Sequence, residues 1–246
     1  MATGQFTCHQ LFEHETSSFT YVLADAATRS ALIIDPVLET VARDLQLLRE
    51  LELDLRHILE THLHADHITG AAALRAATGA RVVVSRASRI RGADAYLDDG
   101  TRLSLGAAEL VSLATPGHTP GCISYYTDDM VFTGDCLLIG STGRTDLPDG
   151  DAAALYDSIQ SRLWSLPPQT RVYPAHDYRG HLCSTIGHER RSNPRVGASS
   201  TKEAFIRLMS DPKRPPPAKM PQAIPANLFC GVVQNGADSV GVACIT

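Results

Sequence analysis

The chain has 246 residues, 43% of them hydrophobic and 20% charged, which is an ordinary globular composition. Its 22 Lys and Arg against 27 Asp and Glu leave a formal net charge of -5, with no basic footprint for nucleic acid or an anionic membrane. No apolar run approaches the roughly 18 residues that a membrane-spanning helix needs.

The length suits one α/β domain over 1–246, with a Pro-rich C-terminal extension from about 210. The N-terminal stretch has neither the basic-then-apolar pattern of a secretory leader nor the Arg-rich look of a transit peptide. Six cysteines are scattered without a CxxC pair, so a reducing, cytoplasmic compartment is expected, with most thiols acting as small buried hydrophobes.

In chain order, Ser17 to Asp25 and Ser30 to Pro36 read as two β-rich runs joined by a short hairpin connection. Val37 to Glu50 carries apolar residues at Val41, Leu45 and Leu48, the spacing of a helical face. Arg56 to His62 is an apolar strand that ends in polar residues. His67 to Gly79 resumes a helical pattern closed by glycine, and Ala80 to Ser85 is the next strand. This alternation predicts a sheet with parallel crossovers. From Thr101 to Asp135 four strand-like segments follow one another. A helix is then expected over Asp151 to Trp164, a strand over Arg171 to His176 and a short helix over Thr201 to Met209. The Pro-rich run Asp211 to Pro221 is expected to cross the surface in extended form.

The chemistry concentrates where apolar strands stop. THLHADHITG places His62, His64, Asp66 and His67 between a strand and an Ala-rich helix, at the carboxyl end of a strand where open α/β sheets put their ligands. Three later strand ends repeat the theme: His118 in TPGHTPG, Asp135 in FTGD and His176 in VYPAH. A lone strand-end Asp is usually a turn former. Four such ends point to convergence on one metal site, and imidazole with carboxylate suits zinc or iron.

THLHADHITG, TPGHTPG, FTGD and the late His176 together resemble the metallo-β-lactamase superfamily from Ser17 to about Tyr178. That resemblance implies a four-layer αβ/βα sandwich with the metal at one edge of its two central sheets. It implies His62, His64, His118 and Asp135 at a first metal position, and Asp66, His67, Asp135 and His176 at a second in binuclear members. GDCLLIGSTGRTDLPDG, VYPAHDYRG, ERRSNPR and IPANLFCG further resemble the glutathione-dependent persulfide dioxygenases, or sulfur dioxygenases. Thr142 stands where some animal-type members carry a cysteine, two positions before Arg144.

The narrower resemblance implies one Fe(2+) per chain, held by the triad His62, His118 and Asp135. His64, Asp66, His67 and His176 would then orient ligands or waters. The implied reaction takes glutathione persulfide, dioxygen and water to sulfite and glutathione, in a homodimer. Arg144 is the expected anchor for a glutathione carboxylate, the other reading being a loop-holding pair with Asp146 or Asp149. Tyr178 is expected to donate a hydrogen bond near the substrate. Cys230 is read as structural. The competing activity is hydrolysis of glutathione thioesters by a glyoxalase II-type enzyme, which normally adds a larger helical C-terminal domain.

Overall fold

The structure, a computed structural model, describes residues 6–127, 129–211 and 215–233. Two six-stranded mixed sheets face each other. The first follows the chain without a break, as β1 (Phe6–Glu13), β2 (Ser18–Asp25), β3 (Ser30–Ile34), β4 (Asp54–Leu59), β5 (Arg81–Ser85) and β6 (Ala95–Leu97). The second runs the same way, as β7 (Arg102–Leu105), β8 (Ala108–Ala114), β9 (Ile123–Tyr126), β10 (Met130–Gly134), β11 (Arg171–Pro174) and β12 (Ser184–Thr185). Strands β3 to β6 are parallel, as the alternating pattern predicts, and β2 and β3 form the expected antiparallel hairpin.

Strand alternation explains the layers. Successive side chains point to opposite faces. Tyr21, Leu23, Leu32 and Ile34 therefore enter the core between the sheets, where they meet Leu110, Tyr125, Phe132 and Tyr173 of the second sheet. Their neighbours Val22, Ala24, Ala31 and Ile33 face outward onto α1 (Val41–Glu50) and α2 (Ala71–Thr78). On the other side Val131 and Val172 pack against α3 (Ala152–Ser158), α4 (Ile186–Ser192) and α5 (Lys202–Met209). Burial on both faces is why these strands read as nearly continuous apolar runs. The result is the expected αβ/βα sandwich.

Several elements differ from the sequence reading. β1 was not anticipated; it is a half-buried edge strand with little alternation. The helix expected from His67 starts only at Ala71, because the backbone before it is committed elsewhere. Gly70 N donates to Pro36 O at 2.7 Å, and Leu38 N donates to Ile68 O at 2.9 Å. The helix expected over Asp151 to Trp164 is capped by the Asp151 carboxylate and widens after Ser158 into a π-helical turn over Ile159–Leu163. The extended reading of the Pro-rich run fails at its end, since Met220–Asn227 is a helix, α6. Pro221 in its first turn removes no helical hydrogen bond. Among the described residues no helix is long and apolar enough to cross a membrane.

Candidate metal centre and active site

The carboxyl ends of β4, β8, β10 and β11 lie along one edge of the sandwich. His62, His118, Asp135 and His176 follow those ends by one to four residues. Cross-sheet bonds hold the edge together. Ile123 N donates to Thr61 O at 2.9 Å, and the buried Tyr125 hydroxyl donates to Glu60 O at 2.8 Å. Gly134 lets β10 approach β4: its φ is +52°, and a Cβ there would stand 2.5 Å from Thr61 Oγ1.

Ligand-capable atoms of His62, His118 and Asp135 lie within 4.8 Å of one another. Both imidazoles are held in one tautomer. Thr61 Oγ1 donates to Asp35 Oδ2 at 2.7 Å, so it accepts from His62 Nδ1, 2.9 Å away. His118 Nδ1 lies 2.7 Å from the backbone oxygen of Arg144, which can only accept. Each ring therefore carries its proton on Nδ1 and offers the Nε2 lone pair to the site. Burial, reinforced by the neighbouring imidazoles of His64 and His118, holds His62 well below its ordinary pKa and so neutral. Asp135 Oδ1 is buried without a hydrogen-bond partner among the described residues, and His118 Nε2 is 3.6 Å from Asp135 Oδ2. Two imidazoles presenting Nε2 and one under-satisfied carboxylate fit a divalent metal, and their number and type match the facial triad of non-haem iron. The chain is thus capable of binding a metal here.

His64 occupies a different setting. Its Nε2 lies 3.2 Å from Asp35 Oδ1 and 3.3 Å from Glu60 Oε2, between two buried carboxylates. Burial alone would lower its pKa, but these carboxylates carry it well above the usual value. Ligand-capable atoms of His64 also lie within 4.8 Å of those of Asp35 and His62, and within 4.8 Å of those of Asp66 and His67. Asp66, His67 and His176 gather beside Asp135. His176 Nε2 is 3.5 Å from Asp66 Oδ2 and 3.7 Å from Asp135 Oδ1, and His67 Nδ1 is 3.0 Å from Asp66 Oδ2. His67 Nε2 is buried without a hydrogen-bond partner among the described residues.

A cavity of about 430 Å³ opens onto this centre, with Asp66, His118, Asp135 and His176 in its floor. Arg144, Arg179, Arg195 and Tyr178 are in its walls. Arg144 makes a bidentate pair with Asp146, Nε to Oδ1 and Nη2 to Oδ2 both at 2.7 Å, and its Nη1 donates to Pro215 O at 2.9 Å. Its fork is therefore engaged within the protein, as in the loop-holding reading, while the side chain borders the cavity. Tyr178 is 59% exposed and stacks on His176 at 5.9 Å between ring centres, within reach of anything entering. Asp177 orders the loop that presents both Tyr178 and Arg179, since its Oδ2 accepts from Arg179 N and His181 N at 2.8 Å.

Sequence reasoning missed Asp35, Thr61 and Glu60, whose roles depend on contacts across the sheet. It also missed Asn227, which lies inside the quoted IPANLFCG stretch and reaches the ligand loop from α6. Cys230 is buried, donates to Arg91 O at 3.3 Å, and has its thiol pushed up to about 12 by burial, as befits a structural residue.

The metallo-β-lactamase superfamily model matches residues 15–176. The human mitochondrial persulfide dioxygenase ETHE1 is 45% identical over 226 residues, which cover 91% of this chain and 88% of the human one. The crystal structure of ETHE1 from Myxococcus xanthus superposes with a TM-score of 0.89 at 47% identity, covering 92% of this chain and 99% of that one. TTHA1623, crystallised in a di-iron-bound form, is 32% identical with a TM-score of 0.65, over 76% of this chain and 98% of that one. By the superfamily match and these relatives, the chain belongs to the persulfide dioxygenase family of the metallo-β-lactamase superfamily.

Proposed function

We propose that this persulfide dioxygenase uses one ferrous iron, held by His62, His118 and Asp135, and that its substrate is glutathione persulfide. The overall change balances as glutathione persulfide plus dioxygen plus water giving glutathione, sulfite and two protons. The observation that carries the reading is the His62, His118 and Asp135 triad, of which His118 and Asp135 line the floor of an arginine-walled cavity, in a chain 45% identical to a persulfide dioxygenase.

Ferrous iron, when bound, supplies the redox change that zinc lacks, with open positions for sulfur and dioxygen. The protein supplies placement and charge. Thr61 and the Arg144 carbonyl keep the two imidazoles oriented with Nε2 toward the centre. Asp135 brings negative charge to the same point. The guanidinium groups of Arg179 and Arg195, beside the Arg144–Asp146 pair, favour the carboxylates of a glutathionyl group. Tyr178 can hydrogen-bond the bound substrate from the rim. Asp66, His67 and His176, gathered beside Asp135, offer hydrogen-bonding groups for a water or ligand at the centre.

An oxygen electrode combined with sulfite detection tests this. Iron-loaded protein should consume oxygen and release sulfite with glutathione persulfide, and take up none with glutathione, which lacks the outer sulfur. Absence of uptake, with two metals per chain and rapid hydrolysis of S-lactoylglutathione, would replace the dioxygenase with the thioester hydrolase.

A further inference from the structure

We infer that Asn227, on the C-terminal helix α6, is a positioning residue of the metal centre: its amide holds the loop 64–69 in shape, so iron affinity depends on a segment outside the superfamily-wide part of the chain. The inference rests on the iron site proposed above. The superfamily match ends at residue 176, and Asn227 lies beyond it.

The geometry is specific. Asn227 is 2% exposed. Its Nδ2 donates to His64 O at 2.9 Å and to His67 O at 2.8 Å, and its Oδ1 accepts from Thr69 N at 2.9 Å. One amide thus satisfies two carbonyls and one N–H of a buried loop whose other backbone ties run only to the segment 36–38 at its far end. A buried backbone group left without a partner is costly, so an isolated loop of this shape would rearrange. The loop carries His64, Asp66 and His67, and the ring of His64 packs on that of His62 with centres 4.0 Å apart. Fixing the loop therefore fixes what stands behind one ligand and beside Asp135.

The rest of the IPANLFCG stretch serves to deliver this amide. Ala72 N donates to Cys230 O at 3.0 Å, and Arg91 N donates to Leu228 O at 2.7 Å, which docks the chain just after α6 against the start of α2 and the segment after β5. Gly231 turns the chain away with φ +87°, where a Cβ would meet Thr69 O at 2.3 Å. Asn227 alone among these residues reaches the carbonyls of the ligand loop with its side chain.

The test compares Asn227→Ala with Cys230→Ala, which perturbs the same docking site without touching the loop 64–69. Iron affinity is measured by chelator competition, and the Co(II) ligand-field spectrum is recorded at saturating metal. Removing an outer partner of a ligand shell typically costs about 10–100-fold in affinity. Asn227→Ala should weaken iron binding by about tenfold or more and shift the cobalt bands, with Cys230→Ala within threefold of the unmodified protein and its bands unmoved, whatever either change does to Tm. Asn227→Ser carries the same comparison if the alanine variant does not fold. An affinity in the Asn227 variant within threefold of the unmodified protein, or a loss matched by Cys230→Ala, would overturn the inference. Failure of the unmodified protein to bind iron would instead overturn the site reading on which it rests.

Discussion

The ring of His118 and the backbone of Arg144 share one hydrogen bond, 2.7 Å from Nδ1 to the carbonyl oxygen. The tautomer of the His118 ring is thereby set by the main chain of the same segment whose side chain borders the cavity. Arg144→Ala keeps that carbonyl, so iron content should stay near one per chain. It removes the Asp146 pair and the tie to Pro215, so KM for glutathione persulfide should rise several-fold with a smaller change in kcat. His118→Ala should lose iron and oxygen uptake together. Metal analysis beside steady-state kinetics separates the two effects.

Thr61 relays between Asp35 and His62 without touching the cavity. Thr61→Val keeps the shape and removes both hydrogen bonds. Iron affinity should fall by about tenfold, measured by competition with a chelator, while the far-ultraviolet circular dichroism stays unchanged.

The two positions of the HLH triplet should differ. His62→Ala should abolish iron binding. His64→Ala removes the imidazole that stands between the buried carboxyls of Asp35 and Glu60 and leaves them facing each other, so it should lower Tm. Its iron content at saturation should nonetheless stay near that of the unmodified protein. Equal iron loss in the two variants would show that His64 is a ligand.

Acid should weaken the metal-free protein through Asp66. Burial would raise its pKa, but His67 and His176 bring it well below the ordinary value. A carboxyl with a depressed folded-state pKa contributes stability that is present above its unfolded value, about 3.9, and is lost as pH falls through the folded one. Urea unfolding from pH 6 to pH 3 should show this loss, and Asp66→Asn should flatten that limb.

Thiol labelling should follow burial. Cys183 is exposed and, among the described cysteines, should react first with iodoacetamide at pH 8. Cys122 and Cys230, both pushed up to about 12 by burial, should label only on unfolding. Peptide mass mapping over time reads the order directly.

What the sequence discloses and what it hides follow from the range of the interactions. The residues that converge at the sheet edge are legible because each follows an apolar run, a pattern confined to a few neighbouring residues. Asp35 ends such a run too, yet SALIIDP reads as a strand closed by a turn; its partner Thr61 is 26 positions away. Asn227 acts over 158 positions, and nothing local distinguishes it from any polar helix residue. The prolines near α6 suggested extended chain, although Pro221 falls in the tolerant first turn and only Pro225 interrupts the helix. The charged α4 had no apolar period to announce it, and its start is visible only through the Thr185 cap that accepts from His188 N.

Because each sheet is one uninterrupted stretch of chain, the molecule has a natural seam. It falls at the exposed turn between Leu97 and Arg102, which joins β6 to β7. A break there gives two fragments, each with a complete sheet and each with part of the donor set. His62 and Asp66 go with one fragment, and His118, Asp135, His176 and Asn227 with the other. Neither fragment alone has the triad, so recovery of iron on mixing would be a direct measure of their reassembly.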